Sequence, residues 1–138
     1  MRQRVAIYER SARADLSGVR AVHRRYLALT DWIANQSGNL QHTHTYIDCG
    51  HPGTSPTHER PRLRQALADA ANHAFDLLVV YDLARLARSP RALEALMTDL
   101  DAAKIPLYSV TEQLDTRRGG ALLMLLHVFA DREPTPNC

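Results

Sequence analysis

Arginines placed just beyond apolar runs are the residues of this chain whose type and spacing could do chemistry. Arg10 and Arg13 follow the first such run, Arg60 precedes a helical pattern, and Arg85 and Arg88 follow a central apolar run. A guanidinium is planar, permanently charged, and presents its donors as a fork that matches phosphate oxygens. Arg85 and Arg88 stand three apart in a segment leading into a helix, a spacing that puts both on one face, where they could grip one oxyanion. Such a group suits a phosphodiester, whose transition state gains charge on its non-bridging oxygens. Spacing alone is equally compatible with solvated surface arginines.

The composition sets outer bounds. Sixteen of the 17 basic residues are Arg and only Lys104 is Lys, a bias that phosphate recognition and a GC-rich genome would both produce. With a net charge of +2, bulk charge does not itself announce a polyanion partner. Cys49 and Cys138 are the only cysteines, which excludes a disulfide framework or a paired metal motif and suits a reducing cytosol. The start MRQRVAIYER lacks a signal-peptide core, and no run of about 18 apolar residues occurs, so a cytoplasmic protein without membrane partners is expected. At 138 residues and 45% hydrophobic content the chain supports one compact core.

The elements that would position these arginines alternate. Arg4 to Tyr8 forms a short buried strand, and Val22, Tyr26, Leu29 and Ile33 share one face of a helix ending near Ser37-Gly38. Thr43 to Ile47 predicts a second strand, followed by a Gly- and Pro-rich loop over Asp48 to Pro61. A helix from Arg62 leads to a strand at Leu77 to Tyr81 that is apolar on both faces, as a central parallel strand is. Ser89-Pro90 caps and opens the next helix. Ile105 to Val110 predicts a further strand, and Leu122, Leu125, Leu126 and Phe129 line a last helix that Pro134 ends. Strands alternating with helices imply an α/β three-layer sandwich with a mainly parallel central sheet. In such a sheet the loops at Glu9 to Asp15, Asp48 to Arg60 and Asp82 to Ser89 converge beyond the carboxyl ends of the strands.

The order YERSA, DCGHPGTS with ERPRL, FDLLVVYDLARLARS, and TEQLDTRRGGALLMLLHVFADRE resembles the catalytic domain of serine recombinases of the resolvase and invertase type, over residues 4 to 133. That family shows a Tyr-x-Arg-x-Ser start, an Asp-x-Gly-x-x-Gly loop followed by Arg-Pro, an Asp-Arg-Leu-x-Arg-Ser turn, and a Gly-rich start to a long final helix. The resemblance implies a resolvase-like fold and site-specific DNA recombination without a metal or other cofactor. A Ser hydroxyl attacks the scissile DNA phosphate, giving a 5′-phosphoseryl intermediate and a free 3′-hydroxyl, so that strands rejoin without ATP. By motif position it assigns Arg10, Arg85 and Arg88 to the scissile phosphate. Arg60 matches the arginine of the loop, Asp48 the acid opening it, and Glu133 the carboxylate of the final helix, while Arg13 and Arg60 join Asp48 as the DNA-phosphate-binding set.

The resemblance fails at two chemical positions. Ala12 stands where the nucleophile belongs, and a methyl group cannot attack phosphorus. Ser11 is one residue earlier, which on an extended segment turns its side chain to the opposite face, although a bent loop would rescue it as a stand-in. Ala84 occupies the place of the acid before the arginine pair, and Arg25 replaces a Gln of the first helix. The expected organisation is a catalytic domain over 1–133, a disordered tail over 134–138 and no DNA-binding module after it, with DNA as partner and a homodimer or tetramer as assembly. Impaired strand transfer is the leading expectation. An inactive fragment that dimerises with or modulates an intact recombinase is the alternative, and an unrelated α/β domain holding a nucleotide or small phosphate is a third. The His42, His44, His51 and His58 group lacks metal-ligand spacing, and Gly119-Gly120 lacks the Lys-Ser/Thr of a nucleotide loop.

Overall fold

The computed structural model describes residues 2–52, 55 and 59–118. Its centre is strand β1 (Gln3–Ser11), whose side chains Val5 to Ser11 are all buried. Helix α1 (Leu16–Ala34) returns the chain to β2 (Leu40–Cys49) on one side of β1, and helix α2 (Pro61–Ala71) carries it back across to β3 (Leu77–Val80) on the other. Helix α3 (Pro90–Ala103) leads to β4 (Leu107–Ser109), and a short β5 (Leu114–Asp115) closes the sheet in the order β2-β1-β3-β4-β5. The first four strands are parallel and β5 is antiparallel to β4.

Residue alternation along β1 divides the molecule into layers. Val5 and Ile7 pack with Leu29 and Ile33 of α1 on one face, joined by Leu77 and Val79 of β3. Ala6 and Tyr8 face the other way, into a larger cluster with Leu63 and Ala66 of α2 and Leu93, Leu96 and Leu100 of α3. The expected three-layer arrangement with a mainly parallel sheet is therefore present.

The chain leaves β1 toward β2 and later resumes at β3 on the opposite side, so the strand order reverses between β1 and β3. In open α/β sheets that reversal opens a crevice beyond the carboxyl ends of the two strands. Arg10 ends one wall of it and the segment after Val80 begins the other.

Helix starts follow local chemistry. Asp15 caps α1 by accepting from the Gly18 amide at 3.1 Å, and Ser89 caps α3 by accepting from the Ala92 amide at 3.2 Å, with Pro90 in the first turn. Helix α2 has no side-chain cap of its own at Arg60. Asp48, at the end of β2, supplies it from outside, accepting from the amides of Arg62 and Leu63 at 3.0 Å each. Gly50 turns the chain out of β2 with φ 81°, which a side chain would strain.

Several expectations are corrected. β1 does not stop at Tyr8, because β2 pairs with it as far as Ser11 opposite Cys49, so Glu9, Arg10 and Ser11 are strand residues rather than loop. Polar residues survive there because partners wait for them at the strand end, as described below. β5 is only two residues long, below what residue patterning can signal. The segment holding the expected final helix and tail, with Glu133 and Gly119-Gly120, lies outside the described residues, as does His58. Among the described residues no helix is long and apolar enough to cross a membrane.

Candidate active site

Three guanidiniums are buried together at the β1/β3 crevice: Arg10 is 0% exposed, Arg60 1% and Arg85 4%. A charged group leaves water at high cost unless its hydrogen bonds are met, so such burial requires a built environment. Arg10 donates from Nε to the Arg85 carbonyl at 3.1 Å, from Nη1 to the His51 carbonyl at 3.1 Å, and from Nη2 to the Ala84 carbonyl at 2.6 Å. Arg60 donates from Nη1 to the same Arg85 carbonyl at 3.3 Å. Arg85 in turn donates from Nη1 to the Arg10 carbonyl at 3.1 Å. Carbonyl oxygens satisfy N–H donors without supplying a full negative charge, so the cluster remains suited to an anion.

The carboxylates nearby are holders. Asp82 accepts from both the Arg85 amide at 3.2 Å and Arg85 Nε at 3.1 Å, capping the 3-10 turn Leu83–Arg85 and aiming the guanidinium at once. Ala84, in the place of the motif's acid, makes no such contact through its side chain. The sequence places Asp48 with the phosphate-binding residues. In the structure its oxygens accept from two α2 amides and from the Tyr8 hydroxyl, the last at 2.9 Å. Burial pushes the Tyr8 phenol well above its usual value, the neighbouring Arg60 charge opposing the shift. Arg60 Nε has no hydrogen-bond partner although it is buried.

The remaining arginines are placed differently. Arg13 is exposed and donates from Nε to Asp15 at 2.9 Å, outside the buried cluster. That contact, ahead of any other cause, holds the Asp15 carboxyl below its usual range. Arg88 is half-buried between the 3-10 turn and the Ser89 cap. It and Arg85 are therefore not neighbours on one helical face, because the turn ends before α3 begins.

Ser11 and Ala12 part company in space. β1 is still extended at Ser11, which sends that side chain to the α1 face, opposite to Arg10. Its hydroxyl is buried, donates to the Arg13 carbonyl at 2.8 Å and accepts from the Arg13 amide at 3.1 Å. Gly18 of α1 presses on this turn so closely that a Cβ there would lie 2.0 Å from the Arg13 carbonyl and 2.5 Å from Ser11 Oγ. Ala12 is the first residue beyond the strand and is partly exposed.

Glu9 and Arg25 meet in a contact that the sequence does not signal. Glu9 is fully buried on the α1 face, and Arg25 of α1 reaches it with Nε at 2.7 Å and the Arg10 carbonyl with Nη2 at 2.9 Å. The sequence marks only one end of it, a charge at position 9 where β1 alternation calls for an apolar side chain. Among the described residues no cluster of His, Cys, Asp or Glu could hold a metal ion.

The family described as "Resolvase, N terminal domain" matches residues 5–134. Among solved structures, the chain is similar to the N-terminal catalytic domain of TP901-1 integrase, at 30% identity and a TM-score of 0.76 with 93% of each chain covered. It shares its fold with a resolvase family site-specific recombinase from Streptococcus pneumoniae, at 16% identity and a TM-score of 0.75 over 94% of this chain and 87% of that one. The C-terminal catalytic domain of ISC1926 TnpA, an IS607-like serine recombinase, is also similar in fold, at 16% identity and a TM-score of 0.67 over 92% of this chain and 82% of that one. Nothing among the curated proteins matches.

Proposed function

The chain belongs to the resolvase N-terminal-domain family of serine recombinases, and on that premise we propose that its β1/β3 crevice binds a DNA phosphodiester, as a strand-transfer domain impaired at the nucleophile position. The observation that carries this reading is the meeting of the Arg10 and Arg60 guanidiniums at the Arg85 carbonyl, with the Arg85 guanidinium returned to the Arg10 carbonyl and Arg60 Nε left as an unused buried donor. Preorganised donors of this kind stabilise charge as it develops on phosphoryl oxygens.

In an intact member a Ser hydroxyl attacks phosphorus, the 3′-oxygen leaves with the bond electrons, and a phosphoserine holds the 5′ end. Here the first residue beyond β1 is Ala12, which has no oxygen to attack with. Ser11 does not stand in, because its hydroxyl is engaged with the Arg13 backbone on the opposite face of the sheet. The chain with Ala12 accordingly binds the phosphate and does not cleave. The test is Ala12→Ser with a nicked suicide duplex: a covalent protein–DNA adduct is expected with the variant and not with the parent. A folded variant that forms no adduct counts against the reading.

A second reading is favoured by Ala12 and Ala84 standing where the family motif has Ser and Asp. It makes the chain an inactive partner that pairs with itself or with an intact recombinase. Leu16, Val19 and Leu27 support it, since all three are large apolar side chains exposed on α1. Sedimentation of the purified chain, alone and mixed with an active member of the family, distinguishes it: a strictly monomeric chain in both conditions removes it.

A further inference from the structure

Glu9 is a carboxylate where the fold asks for a hydrocarbon. Val5 and Ile7 precede it on the same face of β1, both fully buried against α1, and Glu9 is itself 0% exposed with Oε2 lacking any partner. Burial pushes its carboxyl up, the Arg25 charge opposing. A buried ion pair is weak as a source of stability, because an apolar pair of similar shape avoids the desolvation cost. Its presence calls for another explanation, and the geometry supplies one.

Glu9 Oε1 accepts from the Arg10 amide at 3.2 Å and from Arg25 Nε at 2.7 Å, while Arg25 Nη2 donates to the Arg10 carbonyl at 2.9 Å. One ion pair thus grips both polar groups of the Arg10 main chain. The Arg10 carbonyl also receives Arg85 Nη1, so guanidiniums from α1 and from the turn after β3 fix the same oxygen. Arg25 lies within the 19-residue helix α1, whose apolar stripe is anchored to the sheet by Leu29 and Ile33. A rigid helix therefore sets the orientation of the Arg10 peptide, from which the buried guanidinium extends on the other face of the sheet.

We propose that Arg25, acting through Glu9, is a positioning residue for Arg10, clamping its peptide so that its guanidinium and the position of Ala12 keep a fixed relation at the crevice. The proposal rests on the phosphate-binding part assigned to Arg10 above. The clamp needs two donors on one planar group, one for Glu9 and one for the Arg10 carbonyl, a requirement Lys meets poorly.

The test uses the full chain and follows the Arg10 Nε–H by hydrogen exchange in NMR, alongside affinity for a short duplex DNA. Arg25→Ala is the direct variant. Because it strands a buried carboxylate and could fail to fold, Glu9→Gln/Arg25→Met removes the clamp without stranding a charge, and Arg25→Lys keeps the charge alone. With the clamp gone, exchange of the Arg10 Nε–H accelerates and duplex affinity falls about tenfold or more, the scale of a misplaced site group, while β3 amides keep their protection. Arg25→Lys lies between parent and Arg25→Ala. A lowered melting temperature with Arg10 Nε–H protection and affinity both unchanged would show a purely structural pair and overturn the proposal. A parent chain that ignores duplex DNA defeats the functional reading instead, and the exchange measurement still decides on the clamp.

Discussion

Arg10 and Arg85 hold each other by exchange: Arg10 Nε donates to the Arg85 carbonyl at 3.1 Å, and Arg85 Nη1 donates to the Arg10 carbonyl at 3.1 Å. They lie 75 residues apart, on opposite sides of the point where the strand order reverses. The side chain of each is thus a condition for the backbone of the other, and the two walls of the crevice cannot shift independently. Removing either side chain takes one donor from the other's carbonyl, which keeps Arg25 Nη2 or Arg60 Nη1, at a cost of about 0.5–1.5 kcal/mol for the lost hydrogen bond. Truncating both should cost less than the sum of the single changes, with a coupling of about 0.5–1.5 kcal/mol in a double-mutant cycle measured by urea unfolding. Additivity within about 0.5 kcal/mol would show that the exchange contributes nothing.

Asp48 is expected to behave as a stability residue. Asp48→Ala uncaps α2 at two amides and leaves the buried Tyr8 hydroxyl without its acceptor. Loss of a cap costs about 1 kcal/mol and an unmet buried hydroxyl about 1–3, so a total of about 2–4 kcal/mol is expected. Tyr8→Phe in the same background should then cost almost nothing, because the hydroxyl has already lost its partner. A full additional penalty for Tyr8→Phe in thermal unfolding would refute the shared arrangement.

How far the sequence could be read follows from the range of each interaction. The strands and helices carry their signal in apolar periodicity, so Val22, Leu29 and Ile33 already marked the buried face of α1, and Ser89-Pro90 marked the start of α3. The arginines of the crevice were visible as types. Their buried state was not, because it depends on carbonyls of His51, Ala84 and Arg85 that only the tertiary fold delivers. The helix-capping contacts of Asp48 were hidden for a related reason: they join the end of β2 to the amides of α2 across a loop of irregular sequence. Arg25 and Glu9, 16 residues apart with a helix start between them, had no pattern to join them at all.

Acid unfolding should report the Asp76–Arg4 pair that ties the chain before β3 to the start of β1. Arg4 donates to Asp76 from its amide at 2.8 Å, from Nε at 3.2 Å and from Nη2 at 3.1 Å. Those hydrogen bonds hold the Asp76 carboxyl below its ordinary 3.8. A group with a lowered folded-state value contributes stability that is present above the ordinary value and is lost as pH falls through the folded one. Asp76→Asn should therefore flatten the decline in melting temperature below about pH 5, and added salt should shrink the difference, since both side chains are well exposed. Glu9 works in the opposite sense. Its raised carboxyl favours the folded state below its ordinary 4.5 and loses that contribution as pH rises. Glu9→Gln should therefore leave the Asp76 contribution more visible on the acid limb. Parent and Asp76→Asn curves that stay parallel from neutral pH to about pH 2 would contradict the assignment.

Gly18 offers a test in which two physical effects oppose each other. In the first turn of α1, replacing Gly by Ala ordinarily favours the helix by up to about 1 kcal/mol. At this position the added methyl would lie 2.0 Å from the Arg13 carbonyl oxygen and 2.5 Å from Ser11 Oγ, and the nearer of these is backbone that no rotamer change can move aside. Either α1 must slide away from β1, giving up contacts of Leu29 and Ile33, or the Ser11–Arg13 turn must move. Overpacking of this kind costs about 1–3 kcal/mol, so Gly18→Ala is expected to be net destabilising despite its better helix propensity. The second consequence separates this position from an ordinary packing defect, because Ala12 lies inside the turn that is displaced. In the Ala12→Ser background, Gly18→Ala should reduce adduct formation even at temperatures where both proteins remain fully folded. A stabilised Gly18→Ala protein with undiminished adduct yield would mean that α1 does not press on the turn, and that the nucleophile position is set by β1 alone.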